Sequence, residues 1–291
     1  MSTQVTTAFV QQYSANIQML SQQMGSLLRD KVRLESVVGK NAFFDQVGSV
    51  TAQKRTSRHG DTPQIDTPHE RRRVSLVDYE FADLIDDQDK VRLLIDPTSS
   101  YAQAAAYAMG RAMDDEIITA ALGTAQTGET GSTATVLPAG QKLGTADTDG
   151  LTIAKLRSAK EILDAASVDP SITRNIIVSP KQITDLLGTT EVTSSDFNTV
   201  KALASGDVNQ FLGFNFIVSN RLNATGSKRQ CIAYAQDGLA IGVGKDVTAR
   251  IDERADKGYA TQVYYCASFG STRMEEAKVV ESKQLNHNRR R

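Results

Sequence analysis

Three histidines and two cysteines in 291 residues leave little material for metal or thiol chemistry. His59, His69 and His287 fall in turn-like stretches or the tail, without the spacing of a metal site. Cys231 and Cys266 sit in apolar, strand-like runs, and two cysteines make no disulfide framework, so reduced core thiols are expected. Neither sign of charge is in excess: 33 Lys and Arg face 34 Asp and Glu, for a formal net charge of −1. That balance argues against tight nucleic-acid binding. A long apolar run is missing too. Residues 5–28 are too polar and too rich in Gln for a signal or membrane helix, so a soluble chain made in the cytoplasm, with no membrane partner, is expected.

Catalytic motifs are also absent. Gly238 to Lys245 is a poor phosphate loop, because five residues separate Gly238 from Gly244 and Asp246 stands where Ser or Thr should follow the lysine. There is no Gly-x-Ser-x-Gly elbow and no Cys/His pair in a sensible setting. Asp114, Asp115 and Glu116 are consecutive residues on a predicted helix, so they point in different directions and cannot converge on one ion. No active site, metal or cofactor is expected, and the chain reads as a non-enzyme.

What is present is structural. At 40% apolar and 23% charged residues the chain can bury a core sized for one large or two ordinary domains. Residues 97–123 are rich in alanine, the best helix former. Asp96 and Pro97 open this run as N-cap and first helical residue, Gly123 stops it, and Gly110 interrupts it. A single helix roughly 38 Å long is predicted, a spine for the chain.

Upstream, Val10, Tyr13, Ile17, Leu20, Met24 and Leu27 follow a 3,4 spacing, the seam of an amphipathic helix. It either lies on its own domain or forms an arm docked on another subunit. Residues 47–53 and 74–81 read as strands flanking a polar, proline-containing tip, a long hairpin too poor in apolar residues to stand alone. Its tip and second-strand entry carry Lys54, Arg55, Arg58, Arg71, Arg72 and Arg73. Residues 78–89 carry Asp78, Glu80, Asp83, Asp86, Asp87 and Asp89 without a base. These charges are either two solvated faces or the basic tip of one copy meeting the acidic base of the next.

After the spine, residues 124–149 read as a loop. An α/β block follows: helix 151–166, strand 175–178, helix 180–187, helix 196–204, strands 214–218 and 230–235, and an apolar turn or helix at 239–243. Strands 247–252, 259–269 and 276–281 close the chain.

This order of parts resembles the major capsid protein of tailed phages, the Hong Kong 97-type fold. The resemblance is carried by the spine at 96–123, Phe211-Leu212-Gly213-Phe214 leading into 216–219, and the returning strand at 258–273. It implies an α+β fold with an N-terminal arm at 1–40 and an extended β-hairpin loop (E-loop) at 41–82. A peripheral domain with the spine helix would occupy 83–149, an axial α/β domain 150–252, and returning peripheral strands with the tail 253–291. Copies would form pentamers and hexamers of an icosahedral shell enclosing double-stranded DNA by weak contact, with a portal protein and, in some relatives, a decoration or cement protein. The arm begins within the first few residues, leaving no room for the scaffolding segment of some relatives, so a separate scaffolding protein is expected. Some relatives crosslink Lys to Asn; Lys54, Asn286 and Asn288 are the residues available, and nothing places them beside a carboxylate, so no crosslink is expected. An encapsulin-type shell around a cargo enzyme and a soluble oligomeric α+β enzyme remain as alternatives.

Overall fold

The computed structural model describes residues 22–58, 61–62, 64–86, 98–144, 149–187 and 210–285. In chain order the strands and helices are β1 (Arg33–Ser36), β2 (Asn41–Val47), β3 (His69–Ser75), β4 (Val77–Ile85) and the helix α1 (Thr98–Leu122). Next come β5 (Ala125–Thr127), β6 (Thr133–Thr135), β7 (Lys142–Leu143), α2 (Ile153–Ala165), β8 (Arg174–Val178) and α3 (Pro180–Leu187). The chain then forms β9 (Gln210–Phe211), β10 (Phe214–Val218), β11 (Ala224–Thr225), β12 (Lys228–Ala235), β13 (Leu239–Arg254), β14 (Ala260–Arg273) and β15 (Val279–Leu285).

Two compact units share this chain. The larger takes in Leu27–Val77, Ala112–Gly244 and the part from Ser268; the smaller takes in Asp78–Arg111, Lys245–Ala267 and the part up to Ser26.

The larger unit is centred on a sheet of order β7-β15-β12-β8-β10-β9, with β11 added on β12. Strand β8 runs parallel to β10 and antiparallel to β12. All five β8 residues are buried: Ile176, Ile177 and Val178 are apolar, while Arg174 pairs with Asp164 and the Asn175 amide donates to the Lys31 carbonyl. Helix α2 turns Leu156, Ala159 and Leu163 inward at helical spacing, and the Thr152 side chain caps its start by accepting from the Lys155 N–H. A second sheet has the order β2-β3-β5-β6. Here β2 and β3 form an antiparallel hairpin from Asn41↔Ser75 to Val47↔His69, and β3 pairs with β5 at Arg72↔Thr127 and Arg73↔Gln126. The C-terminal part of α1 belongs to this unit and buries Met113, Ile117, Ile118 and Ala121. Full burial of each large apolar side chain contributes about 2 kcal/mol.

In the smaller unit β13 and β14 form a hairpin turning through Ala255–Lys257 and Gly258, which has φ 65°. Its N–H-to-carbonyl closure runs from Tyr259 to Arg254 at 3.0 Å. Strand β4 follows β14 at the edge of the sheet ordered β1-β13-β14-β4. The N-terminal part of α1 buries Ala105 and Met109, and at Gly110 the backbone of Gly25 and Ser26 crosses so closely that a Cβ there would lie 2.5 Å from the Gly25 carbonyl carbon.

The spine helix stands where alanine richness predicts it, while its expected opening at Asp96 and Pro97 lies outside the described residues. The expected helix at 196–204 lies outside them too. Four readings change. The first hairpin strand, expected at 47–53, is β2 at Asn41–Val47, and residues 48–53 are not strand. Residues 239–243 are the buried start of β13, since Leu239, Ala240 and Ile241 pack from both faces and need no helical periodicity. The segment 124–149, read as loop, contributes the short strands β5, β6 and β7. The strand expected at 74–81 is two strands, β3 and β4, which part at Leu76 and enter different sheets.

Candidate inter-subunit surface

Strand alternation decides what the three consecutive arginines do. On β3, Arg71 and Arg73 are half-buried, while Arg72 shares the inward face with Val74 and is only 3% exposed. The Arg71 Nε donates to Asp45 Oδ1 at 2.6 Å across the hairpin, and its guanidinium carbon stands 5.5 Å from the centre of the Phe43 ring. The hydrogen bond from Arg71 holds the Asp45 carboxyl below the usual carboxylate range. Both partners are exposed, so the pair orders a surface more than it stabilises the fold. Arg72 instead donates from Nη2 to Glu276 Oε2 at 2.7 Å, inside the subunit. It is therefore not part of an exposed basic face, as its place in a run of arginines had suggested. Beyond Arg73, a Cβ on Gly131 would fall 2.8 Å from the Arg73 Cβ, so the β5–β6 turn presses directly on the hairpin.

The hairpin tip begins where the Gly48 N–H donates to the Pro68 carbonyl at 2.8 Å. Past that point Lys54, Arg55 and Arg58 are exposed. Arg55 bonds the Ser57 carbonyl two residues on, and among the described residues Lys54 and Arg58 have no ion-pair partner.

The acidic residues belong to the smaller unit. Asp78, Glu80, Asp83 and Asp86 are exposed on or just after β4, and Asp87 lies outside the described residues. Tyr264 on β14 donates to Glu80 Oε1 at 3.0 Å, and this bond to a carboxylate is the first cause that pushes the Tyr264 hydroxyl up to about 12. Carboxylates along an edge strand oppose unplanned pairing with further strands.

Of the N-terminal seam, Val10, Tyr13, Ile17 and Leu20 lie outside the described residues; Met24 is 71% exposed and Leu27 39%. In the smaller unit, Arg111 Nη1 donates to the Gln22 side chain at 3.0 Å and to the Gln23 carbonyl at 3.1 Å. In the larger unit, fully buried Asp114 accepts the backbone N–H groups of Leu27 and Leu28 at 3.0 and 3.1 Å. Asp115 takes a bidentate pair with Arg221. These carboxylates diverge, as consecutive helical residues must. The anchoring role of Asp114 was not read from the sequence; its signal was a carboxylate beside the apolar stripe of Met113, Ile117 and Ile118.

Among the described residues no group of three or more His, Cys, Asp or Glu could hold a metal ion, and no helix is long and apolar enough to cross a membrane. A family model described as "Phage capsid protein" matches residues 5–285. The chain belongs to the phage capsid protein family. Its fold is shared with solved phage capsids. The capsid of Cyanophage P-SCSP1u is similar at TM-score 0.76 and 19% identity, covering 98% of this chain and 96% of that one. The capsid of Ralstonia phage GP4 is similar at TM-score 0.76 and 11% identity, covering 98% and 97%. The capsid of Helicobacter pylori bacteriophage KHP30 is similar at TM-score 0.72 and 10% identity, covering 99% and 98%. No curated protein sequence matches the chain significantly. The architecture is the α+β, Hong Kong 97-like capsid fold, and this phage capsid protein is a structural component of the virion rather than an enzyme.

Proposed function

We propose that this phage capsid protein is the major capsid protein of a tailed double-stranded DNA phage, and that its copies assemble as pentamers and hexamers into an icosahedral shell around the genome. One observation carries the reading: the β2–β3 hairpin is held at its base by β5, while its cationic tip is exposed and has no ion-pair partner at Lys54 or Arg58 among the described residues. Ordering such a segment costs conformational entropy that its own subunit does little to offset, and a neighbouring copy supplies the missing contact. Repeated around a closed symmetry, one such contact type builds a shell.

In this reading residues 41–82 are the extended loop reaching a neighbour and 1–40 an arm bracing another. Residues 150–252 form the axial domain of the capsomer, and 83–149 with 253–291 form the peripheral domain. A portal, a scaffolding protein and, where present, a cement protein act with the shell. The net charge of −1 supports weak, sequence-independent contact with packaged DNA.

Electron microscopy of the expressed full chain, alone and with scaffolding protein, tests the proposal. Closed particles are expected, and a small oligomer under both conditions would overturn it. Particles filled with a cargo protein in place of DNA would redirect the reading to an encapsulin-type shell.

A further inference from the structure

A cleft of about 850 Å³ opens on the larger unit beside the β5–β6 turn, along the end of the β2–β3 ladder from which the hairpin tip leaves. Asp45, Glu70, Glu129 and Glu276 bring four carboxylates to it, against the guanidinium groups of Arg71 and Arg72. Two of the carboxylates are committed within the subunit, Asp45 to Arg71 and Glu276 to Arg72. Glu70, with 63% of its side chain exposed, lies only at the edge of the Arg72 charge, 3.7 Å away, and Glu129 is exposed. The rim is therefore electronegative. The buried Arg72 lines the same cleft and keeps two hydrogen-bond donors, Nε and Nη1, without a partner among the described residues.

These two observations call for different chemistry from one ligand. The rim asks for cations, and unsatisfied buried donors ask for neutral or anionic acceptors. An extended basic peptide offers both, cationic side chains for Glu70 and Glu129 and backbone carbonyls for Arg72. The chain itself carries such a segment. Residues 49–58 are exposed and read Ser-Val-Thr-Ala-Gln-Lys-Arg-Thr-Ser-Arg, with three cations and no acid.

We infer that the cleft beside the β5–β6 turn is the receptor for the hairpin tip of a second copy, with Glu70 and Glu129 receiving Lys54, Arg55 or Arg58. The contact is head-to-tail: the tip and the cleft are different surfaces of one subunit, so each copy offers one of each. It rests on the shell reading and assigns that reading's basic tip a specific partner. Opposite charges placed in this way fix which neighbour is accepted and in what orientation.

The test titrates the unassembled full chain with a labelled synthetic peptide of residues 49–58, followed by fluorescence anisotropy. Binding that weakens with salt is expected, and Glu70→Lys/Glu129→Lys should weaken it by about tenfold or more. Both glutamates are exposed, so the variant should keep its thermal unfolding profile, which is measured alongside. A peptide with Lys54, Arg55 and Arg58 all replaced by Glu should not bind. Failure of the native peptide to bind, or equal binding by the reversed chain or the reversed peptide, overturns the inference. Shells forming normally from Glu70→Lys/Glu129→Lys would remove the cleft contact and leave the shell reading standing. Peptide binding by a chain that forms no shells would do the opposite.

Discussion

Arg273 closes the C-terminal end of α1 by donating from Nη1 to the carbonyl of Ala121 at 3.0 Å. The same nitrogen reaches the Gly123 carbonyl at 2.8 Å, and Nη2 reaches that of Thr135 at 2.9 Å. A helix end exposes carbonyls without intrahelical partners and carries partial negative charge, and one buried guanidinium answers both. Burial lowers the pKa of Arg273, and the neighbouring Glu276 carboxylate opposes that shift. Arg273→Met leaves three buried or half-buried carbonyls without this donor and should cost about 3 kcal/mol. Arg273→Lys keeps the charge without the fork and should recover part of the loss. Thermal unfolding followed by circular dichroism gives the order; a Met variant that melts with the native chain would remove Arg273 from this role.

Gly110 sets two effects against each other. Replacement by Ala raises intrinsic helix stability by about 1 kcal/mol. The new Cβ would meet the Gly25 carbonyl carbon at 2.5 Å and the Ser26 nitrogen at 2.6 Å, both backbone atoms that cannot rotate away. The clash should win by lifting the crossing segment off the helix. Limited proteolysis of Gly110→Ala should then cut near residues 22–26 much faster than in the native chain, and equal cleavage rates would show that the crossing can adjust.

The arginine run separates a folding residue from surface ones. Arg72→Glu buries a second carboxylate against Glu276 and should destabilise the chain by roughly 3–5 kcal/mol. Arg71→Glu loses an exposed pair and should leave the melting profile nearly unchanged. Reversing all three arginines together would thus confuse unfolding with failed assembly. Separate melts of the single variants check this, and a stable Arg72→Glu chain would contradict the buried ion pair.

The two thiols should differ in reactivity. Cys231 is fully buried on β12, and desolvation first of all pushes its thiol up to about 12, so thiolate is scarce at neutral pH. Cys266 is half-buried and accepts from Lys245 Nζ at 3.1 Å. A colorimetric thiol assay should count one accessible group per unassembled chain and a second only in denaturant. Two groups reacting at the same rate without denaturant would contradict the burial of Cys231.

Particular residues show how far the sequence could be read. Alanine density announced α1, and the continuous Ile176, Ile177 and Val178 run announced β8, because one physical tendency dominates each. The small residues at 239–243 suit a turn, a helix or a strand equally, and only pairing with β1 at Arg33↔Ala240 and beyond decides the matter. The arginine run was misread for want of register. Val74 two residues beyond Arg72 was the available clue, since i and i+2 share a face of a strand. Glu276, which answers Arg72, lies 204 positions away, and no local pattern reveals it.

In the proposed shell the hairpin tip serves assembly and not the fold of its own subunit. Gly48 and Pro68 already meet at 2.8 Å, so residues 49–67 can be replaced by a two-residue Asn-Gly turn without reopening the β2–β3 ladder. The decisive measurement is electron microscopy of this shortened chain beside the native one, with thermal unfolding recorded for both. An unchanged melt and no closed shells are expected from the shortened chain under conditions where the native chain forms them. Normal shells from the shortened chain would contradict that role.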